Sequence, residues 1–400
     1  MREKKRSFFF SHALELGGAE RALLGLLEAI DLERYEVDLF LMRHCGELLP
    51  YVPTGVHLLP EVRAYTCLAE PIGQTLRKGA FGVALGRAVG KYRSKRFIEQ
   101  NFPGRDQGVS LEYSHKYTRP FLPSVGEGVY DLAVSFLTPH YLVAEKVRAK
   151  RKLAWIHTDY DAIQIDTASE EKMWGAYDHI VSISDRCTES FLKKFPSLAD
   201  KILRIDNILS PALIRRQAEE RAPLGMERGT IKLLSVGRFC TQKNFDNIPD
   251  ICRRIRETGL DVHWYLIGFG GDEDLIRARI AQTGMEEHVT ILGKKSVPYP
   301  YFKACDLYVQ PSRYEGNCVS VHEAQILGRP VVITAYATSA SQLEDGVDGV
   351  VVPMDNEGCA AGIAALLRDR ERMEQLSAAC LGRDYSNRNQ VEKLYELMEE

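Results

Sequence analysis

An α/β chain built from two doubly wound domains is what the sequence predicts, and three observations predict it. The chain has 400 residues, too many for one ordinary core and suited to two domains of about 200 each. Short apolar runs, several rich in Val and Ile, recur along it, as expected for strands buried on both faces. Helical-period segments alternate with those runs, which implies right-handed crossovers and parallel sheets.

Taken in order, the first half offers "SFFFSHA", "YEVDLFLMR", "GVHLLP", "YDLAVSFL", "KLAWIHT", "HIVSISD" and "KILRID" as strands. The first of these follows a basic start and so invites a leader reading. The apolar run is short, however, and Glu15 and Glu20 stand where a cleavage site would be, so a buried first strand is predicted. The second half offers "IKLLSVGRF", "DVHWYLIG", "HVTILGK", "DLYVQPS", "PVVITA" and "GVVVP". Between them lie "AERALLGLLEAI", "NFDNIPDICRRIRETG", "DEDLIRARIAQTG" and "VHEAQILG", the last three closed by glycine, the usual helix stop. A polar joint with two prolines spans 207–230. The expected division is therefore 1–207, 208–380 and a final amphipathic helix in 381–400. Doubly wound domains bind ligands beyond the carboxyl ends of their strands, and two of them facing each other would make a central cleft.

Composition limits the partners. The chain is 45% hydrophobic and 27% charged, with formal net charge -3, so no global field recruits nucleic acid. Its nine cysteines are scattered without Cys-x-x-Cys or zinc spacing, which suits reduced thiols in a cytosol. No stretch approaches the roughly 20 apolar residues of a membrane span. The expectation is a cytoplasmic protein.

Candidate site residues cluster in the second half. In "DLYVQPSRYEGNCVSVHEAQILG" a strand ends, a loop carries Glu315, and a helix begins near Val319 with Glu323 one turn in. Ionised carboxylates only accept, so each suits a pair of sugar hydroxyls. Amides from Gly316 through Asn317, Cys318 and Val319 can donate to phosphate or hydroxyl oxygens. On spacing alone the two acids also read as a loop charge and a dipole-favoured helix carboxylate. "SVGRFCTQKNFD" adds Gly237, Arg238 and Lys243 at another strand end, a pattern suited to clamping a diphosphate. "LIGFGGDEDL" places Gly268, Gly270 and Gly271 between strand and helix, short of a full dinucleotide fingerprint.

Together, "SVGRFCTQKN", "LIGFGG", "PSRYEGNCVSVHEA", "GRPVVIT" and "DGVDGVVVP" resemble the donor half of the family-4 retaining glycosyltransferases, whose hallmark is the Glu-x7-Glu pair. In the first half "ELGGAERALLGLLEAI" is similar to that family's Gly-Gly acceptor loop, and "LAWIHTD" to its mid-chain His motif. The resemblance implies the GT-B fold: two Rossmann-like domains facing a cleft, with the C-terminal helix crossing back to the first. It implies that Glu323 takes ribose hydroxyls and Glu315 donor-sugar hydroxyls. Arg238 and Lys243 would neutralise the departing diphosphate, and His157 would line the reaction centre. Gly17, Gly18, Glu20 and Asp159 would form the acceptor and phosphate loop. Catalysis would rest on His157, Glu315, Arg238 and Lys243, with front-side departure, no protein nucleophile, no metal and no cofactor. The donor would be a UDP-sugar and the acceptor a glycan or a lipid-pyrophosphate-linked saccharide in surface-polysaccharide synthesis. Asn317–Cys318 departs from the aromatic or Pro-rich pair of many relatives, which leaves donor-sugar choice open.

Two features stand apart. Asp159 and Asp161 form an Asp-x-Asp pair that can hold a divalent cation, but that device belongs to the other major glycosyltransferase fold. Residues 72–98 carry Arg77, Lys78, Arg87, Lys91, Arg93, Lys95 and Arg96 with no acid. They read equally as a solvated insert and as a surface for an anionic membrane, on its inner face. The alternative functions are a phosphorylase or sugar-phosphate synthase on the same fold, and a non-catalytic nucleotide-sugar-binding module.

Overall fold

A computed structural model describes residues 4–102, 108–158, 160–161, 163–315 and 318–399. The chain divides into two compact units, Met1–Ser210 with Asn387–Glu400, and Pro211–Ser386. Each apolar run read as a strand carries one.

The first unit contains β1 Lys5–Ser11, β2 Tyr35–Leu41, β3 His57–Leu58, β4 Tyr130–Ser135, β5 Ala149–Ile156, β6 His179–Ser182 and β7 Ile202–Arg204. They form one parallel sheet in the order β3-β2-β1-β4-β5-β6-β7. Phe9 of β1 registers with Leu39 on one side and Val134 on the other. Phe8, Phe10, Phe40, Tyr130 and Trp174 anchor the core against the covering helices. The Phe-rich run is thus buried because its strand is central.

The stretch 72–98 folds as helices Ile72–Arg77 and Phe81–Asn101, the second packed along helix Val109–Thr118. The glycines that weaken it as an isolated helix have a packing role. A Cβ on Gly86 would sit 2.6 Å from the Tyr117 carbonyl oxygen, and one on Gly90 2.6 Å from that of Tyr113. With buried Ser94 they make a ridge of small residues that lets the two backbones approach. Arg87 is not part of the solvated charge: its guanidinium donates to the Cys67 and Glu70 carbonyls.

The final helix, Glu392–Glu399, completes the first unit. Tyr395 stacks on Tyr35 with centroids 4.4 Å apart, its hydroxyl accepts from the Asp31 amide at 2.7 Å, and Lys5 Nζ donates to the Met398 carbonyl.

The second unit contains β8 Ile231–Val236, β9 Val262–Ile267, β10 Val289–Gly293, β11 Leu307–Gln310, β12 Val331–Thr334 and β13 Val350–Val352. Its parallel order is β10-β9-β8-β11-β12-β13. The buried Trp264 indole donates to Ser235 Oγ at 3.0 Å, and Ser235 donates onward to the Val309 carbonyl, so these two core polar groups are paired. The strand order reverses between β8 and β11, where doubly wound sheets open a crevice at the strand ends.

Candidate functional site

That crevice gathers Lys243 and Glu315. After β8 the chain makes a tight turn, Thr241–Lys243, and Asn244 then takes a left-handed conformation at φ 61°, which short polar side chains tolerate. Its side-chain Nδ2 donates to the Pro311 carbonyl at 2.9 Å, tying this turn to the loop after β11. Arg313 straps the same two segments together, gripping Asp246 through two hydrogen bonds of 3.0 and 2.8 Å.

Held this way, Lys243 Nζ lies 2.7 Å from Glu315 Oε1, with both side chains nearly buried. Ser312 also donates to Oε1, and Gln242 Nε2 donates to Oε2 at 3.0 Å. Burial pulls the Lys243 pKa down, but the facing Cys318 and Glu315 outweigh it and raise the value. The operative partner is Glu315, because burial pushes the Cys318 thiol up and keeps it uncharged at neutral pH. The lysine is therefore a fixed cation and its neighbour a fixed acceptor. Gly237 makes room for this: a Cβ there would lie 3.3 Å from the aliphatic stem of Lys243.

The remaining second-unit candidates are placed as follows. Glu323 is buried in helix Val319–Ile326 and accepts from Tyr299 OH at 2.8 Å. Val319 opens that helix, and Cys318 precedes it with Sγ 3.5 Å from Lys243 Nζ. Gly268 and Gly270 are dictated by close approach. A Cβ on Gly268 would stand 1.9 Å from the Gly237 carbonyl oxygen, and one on Gly270 2.3 Å from that of Phe239. Arg238 is exposed and, among the described residues, joins no ion pair with this cluster. The two cations are thus unlike: Lys243 is held in a buried ion pair and Arg238 lies exposed. Gly316 and Asn317 lie outside the described residues.

Several partners escaped the sequence reading. Gln242 and Ser312 sit inside the strings that flagged their neighbours, and their nearness to strand ends is a usable signal. Thr338, whose hydroxyl donates to the Glu315 carbonyl at 2.7 Å, carries no such mark. Nor does Gln342, which accepts from the Cys318 amide at 2.7 Å and donates to the Cys318 carbonyl at 3.3 Å.

In the first unit, Gly17 caps helix Gly18–Ala29, and a Cβ on it would collide with the Glu20 carboxylate folded back over it. Burial raises the Glu20 pKa. A Cβ on Gly18 would meet only open space. His157 follows β5, its ring 4.5 Å from that of Phe136. Burial lowers its pKa to about 4, and among the described residues its buried Nε2 has no hydrogen-bond partner. Asp159 lies outside the described residues; Asp161 pairs with Lys193 at 2.9 Å.

The comparisons with known proteins agree with this architecture. Residues 216–380 match the family "Glycosyl transferases group 1". An alpha-D-kanosaminyltransferase of Streptomyces kanamyceticus is 26% identical over 218 residues, covering 52% of this chain and 56% of that protein. A Campylobacter jejuni enzyme, named as transferring N-acetylgalactosamine to a saccharide on diphospho-undecaprenol, is 30% identical over 139 residues, 34% of this chain and 37% of its own length. The chain thus spans about half the length, or less, of these relatives. Among solved structures, Anabaena HepE with UDP and glucose superposes with a TM-score of 0.59 at 15% identity, over 99% of both chains. The fold is that of the GT-B glycosyltransferases, two Rossmann-like domains.

Proposed function

We propose that the chain is a metal-independent retaining glycosyltransferase of family 4. It would transfer a sugar from a UDP-sugar to a glycan or lipid-linked saccharide in surface-polysaccharide synthesis. The observation that carries this reading is the buried Lys243–Glu315 pair at the strand-order reversal of the second unit, within the segment that matches the family. A fixed ammonium beside a fixed carboxylate suits a diphosphate joined to a hydroxyl-bearing ring. Lys243 offsets charge as the diphosphate leaves, with the exposed Arg238 as the second cation of the clamp. Glu315 accepts sugar hydroxyls and Glu323 ribose hydroxyls. His157 presents a neutral imidazole, and the amides of Gly17 and Gly18 serve the phosphate or acceptor. The structure of HepE with UDP and glucose, and the names of the sugar-transferring relatives, support the choice of donor.

A panel of UDP, GDP, ADP and their common sugars tests this by thermal shift. One nucleotide should raise the melting midpoint selectively, with about 2.7 kcal/mol of stabilisation at a hundredfold excess over its dissociation constant. Glu323→Ala should abolish the shift. A chain that none of the ligands stabilises would refute the donor site. Retention is read separately, as the anomeric configuration of the product by NMR.

The reading extends to where the enzyme works, on the cytoplasmic face of a membrane. Among the described residues no helix is long and apolar enough to cross one. Helix Phe81–Asn101 instead presents Phe81, Leu85 and Tyr92 at 67%, 58% and 66% exposure on its outer side. Lys91, Arg93, Lys95 and Arg96 are exposed with them. Apolar anchors flanked by basic residues suit an anionic lipid surface, where each such charge near the surface contributes about 1 kcal/mol. Vesicles containing anionic lipid should therefore sediment the protein, and Lys91→Glu with Arg93→Glu and Arg96→Glu should release it. Equal sedimentation of the triple variant and the parent would rule the contact out.

A further inference from the structure

Glu315 can accept fewer hydrogen bonds in this fold than a free carboxylate can. A carboxylate has about four acceptor positions, two on each oxygen. Lys243 and Ser312 both donate to Oε1, and Gln242 Nε2 donates to Oε2 at 3.0 Å. Three positions are thus taken by the protein itself, and one, on Oε2, is left. Lys243 is committed in the same way. Of its three N–H donors, one goes to Glu315 and a second faces Cys318 Sγ at 3.5 Å, which leaves one for a ligand.

The Oε1 side is closed by a chain of hydrogen bonds running along β11. Tyr308 OH donates to Gln310 Oε1 at 2.6 Å, Gln310 Nε2 donates to Ser312 Oγ at 2.9 Å, and Ser312 donates to Glu315. Tyr308, Gln310 and Ser312 are all fully buried. A hydroxyl carries a single proton, so Ser312, which accepts from Gln310, sends its own to Glu315. The Ser312 backbone is fixed as well, because Thr334 Oγ1 donates to its carbonyl at 2.6 Å. The Oε2 side is built differently. Gln242 is half-buried on the turn Thr241–Lys243, and its backbone carbonyl accepts from the Arg313 amide at 2.8 Å. That bond anchors the turn, while the Gln242 side chain reaches in from the rim to fill one position on Oε2.

We infer that Gln242 is a specificity-determining residue: by occupying one acceptor position on Oε2, it limits Glu315 to a single sugar hydroxyl. The neighbouring ring position then goes unread by this carboxylate, which does not distinguish a sugar with a hydroxyl there from one without. That Glu315 meets a sugar at all rests on the glycosyltransferase reading above; the count of its filled positions does not. Gln242→Ala removes the donor and opens a second position on Oε2 to a neighbouring hydroxyl. Gln242→Lys keeps an N–H donor on a side chain long enough to reach the same oxygen. The two variants separate occupancy of that oxygen from a general disturbance of the turn.

Isothermal titration of the full chain tests the inference, using UDP-glucose, UDP-galactose and UDP-N-acetylglucosamine and the deoxy forms of whichever binds. Each deoxy form is compared with its own parent sugar nucleotide in the same protein, so a uniform loss of affinity cancels. In Gln242→Ala, one hydroxyl whose removal the unmodified protein tolerates should become costly to remove, by about tenfold, the worth of a hydrogen bond to a charged acceptor. Gln242→Lys should keep the unmodified protein's pattern. A pattern unchanged in Gln242→Ala, or altered equally in both variants, would overturn the inference and leave the donor reading standing. Failure of all three sugar nucleotides to bind the unmodified protein would instead refute the UDP-sugar donor, and the inference with it.

Discussion

Lys243→Ala is expected to destabilise the protein by about 3 kcal/mol, because it removes the partner of a buried carboxylate. Glu315 would keep Gln242 and Ser312 but lose the ammonium 2.7 Å away that balances its charge. The cost therefore comes from the stranded acid rather than from the lysine. Lys243→Met combined with Glu315→Gln removes both charges and keeps the volumes, so it should recover most of the lost stability. Sugar transfer should fail in both variants. Urea unfolding midpoints and turnover, measured side by side, separate the two effects. A single variant as stable as the parent would mean that the pair is not the electrostatic unit described. A double variant that still turns over would remove it from the chemistry.

Acid should unfold the protein well above the carboxylate range. Burial holds His115 and His140 at about 3 and His157 and His263 at about 4, all below the usual imidazole value of 6.5. Their neutral forms are favoured by the fold. That stability is fully present above pH 6.5 and is lost as pH falls toward the folded values, by up to about 1.4 kcal/mol per pH unit for each ring. Glu170, raised to about 7, and Glu112, raised as well, act in the opposite sense and gain stability as pH falls toward 4.5. Four imidazoles against two acids leave a net loss, which steepens once the acids are protonated. Melting temperature should fall from pH 7 to pH 5 and faster below that. A flat or rising profile over this range would contradict the burial assigned to these rings.

How much of this was legible beforehand depended on how locally each feature is encoded. The strands were readable because parallel sheets covered on both faces require continuous apolar runs, and "SFFFSHA" or "PVVITA" admits few other readings. Glu315 and Glu323 were readable because the seven-residue spacing survives as a short motif. Their pairing was not: that Glu315 would meet Lys243, 72 residues away, depends on β8 and β11 lying side by side. The packing role of Gly86 and Gly90 was unreadable for a related reason, since it lies in a partner helix that no local pattern announces. Glu112 gave no sign at all. One acid in an ordinary helix becomes notable only when Tyr141 and Ser169 satisfy one of its oxygens and no described residue satisfies the other.

The way helix Glu392–Glu399 closes the first unit bears on how the chain is made. A ribosome releases residues in order, so Tyr35 emerges long before the ring that stacks on it. Until residue 395 appears, the strand starts at Lys5 and Tyr35 that receive the helix stay uncovered, while the whole of the compact unit Pro211–Ser386 is synthesised. The part made first is thus the part completed last. A nascent chain that has emerged through residue 386 but not residue 395 would carry a complete second unit and an open first one, a state that chaperones and proteases can distinguish from the mature fold.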